Sequence, residues 1–157
     1  MPIDRRRLLQ VVAILGALFA YATIVVGGTV RGMDAGLACP DWPLCNGSVV
    51  PNLADARILV EYIHRLVAAL TGLFMLSTLV AAVLWFRPEM RIVTLSIMSF
   101  AILVTQVAVG ALTITSENDW VVVTIHLALG TATLASALIV ALVSLWPAKA
   151  LPRTAAA

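Results

Sequence analysis

Four uninterrupted apolar runs fix most of what this chain can become. They cover Leu8–Val30, Leu59–Phe86, Ile92–Thr115 and Trp120–Trp146. A helix rises 1.5 Å per residue, so about 20 residues cross the ~30 Å hydrocarbon core of a bilayer. Each run is longer than that. Spanning strands would need only ~9–11 residues and would alternate in polarity, which these runs do not. Composition agrees: 62% of the residues are hydrophobic and 11% charged, against roughly 25% charged in a soluble domain. The expected fold is therefore an all-α membrane protein, a four-transmembrane-helix bundle. It would form one domain over residues 1–147, with a tail over 148–157. A net charge of +2 gives no reason to expect a nucleic-acid partner; the partner surface is membrane lipid.

Charge predicts the threading. Arg5, Arg6 and Arg7 precede the first run, Arg87 and Arg91 separate the second from the third, and Lys149 and Arg153 follow the fourth. The opposite connections hold Arg31 and Arg57 against Asp34, Asp41, Asp55, Glu117 and Asp119. The positive-inside rule then makes both termini cytoplasmic in a multi-pass protein of the cell membrane. Arg5–Arg7 followed by an apolar stretch and Ala20-Tyr-Ala22 resembles a cleavable signal peptide. The run continues through Val30, however, which favours a retained helix. The inner and outer turns, Arg87–Arg91 and Ser116–Asp119, are tight, so sequential helices become antiparallel neighbours. Only the outer connection, residues 31–58, is long, and a lone long loop in a minimal bundle suggests function.

A weak internal repeat runs through the chain. Val25-Val-Gly-Gly-Thr-Val30 ends the first run, and Val107-Ala-Val-Gly-Ala-Leu-Thr113 lies near the end of the third. Ile63-His64 and Ile125-His126 lie near the outer ends of the second and fourth. Helices 1–2 and 3–4 read as two copies of one hairpin.

His64 and His126 are the only histidines. From the starts of their runs they lie roughly 7–9 Å inside the apolar segments. Intramembrane ionisable residues are expensive and point to function. One such histidine would most simply hydrogen-bond a neighbour. Two, at matched depth on neighbouring parallel helices, suggest axial ligation of one haem iron. Small residues lie beneath each: Ala68, Thr71 and Gly72, then Gly130 and Thr133. They could open space for a flat macrocycle or simply let helices pack closely.

Glu61, His64 and Arg65 share one helix face at i, i+3 and i+4. Two readings stay open. Glu61 and Arg65 could form an ion pair that neutralises the helix end. Alternatively Glu61 could serve a haem edge, in proton transfer or charge stabilisation, with Arg65 free to grip a haem propionate bidentately. Cys39 and Cys45 lie in the outer loop, in Ala38-Cys-Pro-Asp-Trp-Pro-Leu-Cys45. The geometry allows a disulfide, as a staple or as a redox pair. Two cysteines without a third ligand argue against zinc. The spacing is not that of covalent c-type haem attachment. Gln106 on helix 3 reads as interhelical glue rather than a substrate contact. Gly16, Ala20, Thr23 and Gly27 read as a packing seam on helix 1. Trp42, Trp85, Trp120 and Trp146 read as interfacial belts.

Gly27-Gly-Thr-Val-Arg31, Gly36-Leu-Ala-Cys-Pro-Asp-Trp-Pro-Leu-Cys45, Glu61-Tyr-Ile-His-Arg65 and Gln106-Val-Ala-Val-Gly-Ala-Leu-Thr113, followed by His126, resemble the haem A synthase family in the same order. The resemblance implies a membrane oxidoreductase that converts a methyl group of haem O to the formyl group of haem A. It implies axial histidines at His64 and His126, a catalytic role for Glu61, and a Cys39–Cys45 disulfide. It also implies haem B as cofactor, haem O as substrate, and haem O synthase and terminal oxidase assembly as partners. The family's familiar members carry eight helices in two four-helix halves, one thought to hold the substrate haem and one the haem B cofactor. This chain corresponds to one half and has one histidine pair, so either copies associate as a homo-oligomer, a dimer or higher, which is the preferred expectation, or a single bundle serves one haem at a time. The same histidines would also suit a b-type electron-transfer cytochrome or a non-catalytic haem-binding assembly protein.

Overall fold

The computed structural model describes residues 4–146. It contains four α-helices: α1 (Arg5–Gly32), α2 (Ala56–Trp85), α3 (Met90–Thr115) and α4 (Trp120–Leu145). All four are long and apolar enough to cross a membrane. The expected helices are present, with α1 extended at both ends and α2 begun three residues earlier. The extensions follow capping: Asp4 accepts from the N–H groups of Arg6 and Arg7, Asp55 from Arg57, and Asp119 from Val121 and Val122. Each side chain satisfies donors that the first helical turn leaves open. The tail expected over 148–157 lies outside the described residues.

Each helix packs on its neighbours in the ring α1–α2–α3–α4–α1. This up-down-up-down order is what short turns between antiparallel neighbours produce. It corrects one expectation: α2 and α4, which carry the histidines, are diagonal partners rather than neighbours. In a ring of four, alternate helices run parallel and face each other across the centre.

One end of the bundle carries the N-terminus and the α2–α3 turn; the other carries the long loop and the α3–α4 turn. The terminal end is well packed. Leu9, Ala81, Ala82 and Ile92 form one buried cluster, Ala13, Val140 and Ala141 another, and Ala17, Met75, Leu103 and Ala137 a third. Arg6 donates to Glu89 Oε2 at 3.1 Å and its guanidinium stacks on Phe86. That ties the start of α1 to the α2–α3 turn. The small residues let backbones approach closely, which is how helices pack where no hydrophobic effect drives them together.

Burial stops halfway along. Beyond the level of Ala20, Thr71, Leu103 and Gly130 toward the loop end, Val30 and Glu61 are the buried helix residues among those described. Half of the bundle has a side-chain core, and the other half presents facing helices without one.

A few hydroxyls sit inside the packed half. Ser99 and Ser136 share a hydrogen bond at 2.9 Å between α3 and α4. Ser96 Oγ is buried with no partner, beside a cavity of about 10 Å³ lined by Thr78, Ser99 and Met75 among others. A made bond and an orphaned hydroxyl should respond oppositely to deletion. Ser96→Ala should stabilise the protein by up to about 1 kcal/mol, and Ser99→Ala should destabilise it by about 1 kcal/mol. Thermal unfolding of the two variants in detergent measures the contrast.

Candidate functional site

The histidines occupy the open half, and each rests on a glycine of the preceding helix. A Cβ placed on Gly27 of α1 would fall 2.9 Å from His64 Cε1. A Cβ on Gly110 of α3 would fall 2.8 Å from His126 Cε1. No side chain fits at such distances, so each ring packs with its Cε1 directly against bare helix backbone. The two glycines stand the same distance from the ends of their helices, a little over one turn. The hairpin repeat read from sequence is therefore a structural repeat: α1–α2 and α3–α4 build the same glycine–histidine cradle.

Both rings are half-buried. Their Nδ1 atoms are inside and have no hydrogen-bond partner. The backbone of Thr23 lies beside the His64 ring, and that of Gln106 beside the His126 ring, with no bond completed to either Nδ1. Thr23 and Gln106 are each one turn before the cradle glycine. The buried Nδ1 edges leave Nε2 of each ring as its accessible nitrogen. Metal-ligating histidines turn Nδ1 toward the protein and present Nε2 to the metal, and these rings have that orientation. Together with the coreless half of the bundle, this donor set fits a haem held between α2 and α4.

Glu61 sits one turn nearer the loop end than His64. Its side chain is 8% exposed, and its Oε1 accepts from Arg65 Nε at 2.8 Å. The i, i+4 ion pair is thus the one of the two readings that the structure contains. Arg65 does more than neutralise. Its NH1 donates to the carbonyls of Asp41 (2.7 Å) and Leu44 (2.6 Å), and its NH2 to that of Cys39 (2.7 Å). A guanidinium has five N–H donors. The carboxylate and three carbonyls leave one, so the bidentate propionate grip expected for Arg65 is not open to it in this arrangement. Nothing in the sequence linked Arg65 to the loop carbonyls, because backbone acceptors carry no residue signature.

The loop clamped by Arg65 is itself closed. Cys39 and Cys45 form a disulfide. Asp41 accepts from the N–H groups of Asn46 and Gly47 at 2.6 and 2.8 Å. Those donors, Gly47 first, hold its carboxyl below the ordinary carboxylate range. Gly36 lies against the Asn118 amide of the α3–α4 turn, where a Cβ would come within 2.8 Å of Nδ2. The loop therefore lies over the open half of the bundle, bonded to α2 through Arg65 and packed against the α3–α4 turn at Gly36.

Arg65 is the shared fastener, and its removal should be costly. Arg65→Ala would leave the Glu61 carboxylate buried and unpaired and three carbonyls without a donor. The expected loss is about 3 kcal/mol of stability, with faster proteolysis within residues 33–55. Arg65→Lys should recover only part of it, since a lysine has no planar fork to serve four acceptors. Chemical denaturation and limited proteolysis of both variants measure this.

The two cradle glycines escaped the sequence reading, which placed Gly27 in a packing seam. The signal was present in the repeat itself, since glycine recurs at the same place before each histidine-bearing helix.

Comparison with known proteins agrees with this architecture. Residues 10–157 match the COX15-CtaA family, described as cytochrome oxidase assembly protein. A haem A synthase of Exiguobacterium sibiricum is 28% identical over 131 residues, covering 81% of this chain and 44% of that protein. A haem A synthase of Sinorhizobium medicae is 34% identical over 116 residues, 67% of this chain and 31% of the relative. A protohaem IX farnesyltransferase of Halobacterium salinarum is 36% identical over 143 residues, 88% of this chain and 30% of the relative. The chain spans less than half the length of each of these relatives. With four membrane-spanning helices and a family match over nearly its whole length, the chain is a multi-pass membrane protein that belongs to the COX15-CtaA family of cytochrome oxidase assembly proteins.

Proposed function

We propose that this protein takes part in haem A synthesis, oxidising a methyl group of haem O to the formyl group of haem A. The observation that carries the proposal is the paired cradle: two imidazoles backed by bare glycines, accessible at Nε2, facing a bundle half without a core. His64 and His126 would hold the haem through its iron. The haem supplies the redox chemistry; the chain supplies position, electrostatics and exclusion of water.

Glu61 is the catalytic residue at the macrocycle edge. Arg65 pins Oε1, so the carboxylate keeps one orientation, while Oε2 makes no hydrogen bond among the described residues. That oxygen is available to hold a proton or to stabilise positive charge developing at the methyl carbon. Arg65 serves the haem site by fixing Glu61 and the loop, with one N–H left for a propionate. The arginine distribution supports cytoplasmic termini and a site near the outer face.

A second haem, with haem B as resident cofactor, needs a second four-helix unit. A second copy of this chain would provide one, as a symmetric dimer. The likeness to a protohaem IX farnesyltransferase favours a haem O synthase as the supplier of substrate. Prenylation makes haem O, and the oxidation follows it.

Chromatography of haem extracted from the purified protein tests the reading. Haem O, its hydroxylated derivative or haem A, alongside haem B, is the expected result. Haem B alone, with reversible redox and no product when haem O is supplied, would leave a b-type electron carrier instead.

A further inference from the structure

Gln106 is the polar side chain of the open half that the reading above leaves unused. It stands on α3 one turn from Gly110 toward the packed end, and it lies against α4 at Gly130. A Cβ on Gly130 would fall 3.1 Å from Gln106 Nε2. Its Oε1 is buried and has no hydrogen-bond partner. Side-chain bonds that do join helices run between other residues, Thr23 with Thr71 and, in the packed half, Ser99 with Ser136. The amide oxygen is therefore not the interhelical glue the sequence suggested.

The repeat sharpens the anomaly. Thr23 is the counterpart of Gln106, one turn before Gly27. Its hydroxyl donates to the Phe19 carbonyl at 2.8 Å and shares a 3.0 Å contact with Thr71 Oγ1. One hairpin has a small, satisfied hydroxyl at this level. The other has a longer amide with an open acceptor. Leaving such a group unpaired at membrane depth costs free energy, and a ligand that completes it recovers that cost.

We propose that the Gln106 amide determines specificity for the prenylated side chain of haem O by hydrogen-bonding its hydroxyl group. This rests on the haem site proposed above. Haem O differs from haem B by a hydroxyethylfarnesyl group in place of one vinyl. That hydroxyl is both donor and acceptor, and an amide offers both functions in return. Charged propionates favour the watery end of the site. The hydroxyethylfarnesyl group leaves the macrocycle from the edge remote from them, so with the propionates at that end it would reach toward the packed half. Gln106 lies about 6 Å deeper than Gly110, by helix rise. Glu61 lies on the opposite side of the ligand level, toward the loop. The methyl destined for oxidation neighbours a propionate and would lie on the Glu61 side. One end of the site would read the prenyl hydroxyl while the other acts on the methyl.

Binding, not turnover, tests this. Wild type, Gln106→Leu and Gln106→Met are reconstituted in lipid nanodiscs and titrated separately with haem O and haem B, following the bis-imidazole absorption spectrum. Both variants should lose about tenfold in affinity for haem O, the worth of one hydrogen bond to a buried group. Both should bind haem B as the wild type does, which also reports that they fold. Equal losses for the two haems, or no loss for either, overturn the role of Gln106 and leave the haem site standing. A wild type that gives no bis-imidazole spectrum with either haem overturns both.

Discussion

Glu61→Gln should keep its haem and oxidise haem O at least a hundredfold more slowly. The substitution is chosen for what it preserves. Glutamine retains an Oε1 to accept from Arg65 Nε, where the wild-type bond is 2.8 Å. Arg65 in turn keeps its bonds to the carbonyls of Cys39, Asp41 and Leu44. The loop stays closed and the cradles are untouched. What disappears is the ionisable group and its free oxygen. Loss of a positioned acid or base typically costs 10²–10⁴-fold in rate. The measurement pairs the absorption spectrum of the purified variant with chromatography of its haem after supply of haem O. Retained haem with unchanged conversion removes Glu61 from the mechanism. Glu61→Ala should show the same loss of conversion and also some loss of stability, because Arg65 Nε is then left without its acceptor.

The division between what was legible in sequence and what was not follows the range of the interactions. Helix number and span were legible because each rests on a local property, a run of apolar residues longer than the bilayer. His64, His126 and Glu61 stood out because an ionisable group in such a run is rare. The Glu61–Arg65 pair was one of two readings because i, i+4 spacing permits contact without requiring it. The longer-range contacts were hidden. Arg65 reaches loop carbonyls more than twenty positions away in sequence. Gly27 and Gly110 matter through rings on other helices. The orphaned oxygen of Gln106 is visible only once its neighbours are placed. The diagonal relation of α2 and α4 was implicit in four short-linked antiparallel helices, but depth along the membrane says nothing about position around a ring.

The cradles carry the other large expected effect. Gly27→Val and Gly110→Val should each remove one axial ligand and replace the bis-imidazole spectrum by a five-coordinate one. The clash is with an imidazole, which is rigid and cannot bend away as an aliphatic chain end could. A Cβ alone at Gly110 would stand 2.8 Å from His126 Cε1, and at Gly27 2.9 Å from His64 Cε1. Valine adds two methyl groups held in nearly one rotamer within a helix. The ring must rotate out, and its Nε2 turns away with it. Helix propensity works in the opposite direction, since valine is a few tenths of a kcal/mol better than glycine inside a helix. The fold should therefore survive, and the lost ligand is not a by-product of unfolding. Gly28→Val is the matched control: it changes the adjacent residue on α1, and a Cβ there meets nothing within 4 Å. It should bind haem as the wild type does. Because the two cradles are structural repeats, the two damaging variants should give similar spectra, and the double variant should bind no haem. If the double variant keeps the wild-type spectrum, the histidines are not the ligands. If one single variant loses the spectrum and the other does not, the iron is held from one hairpin only, and the paired site fails.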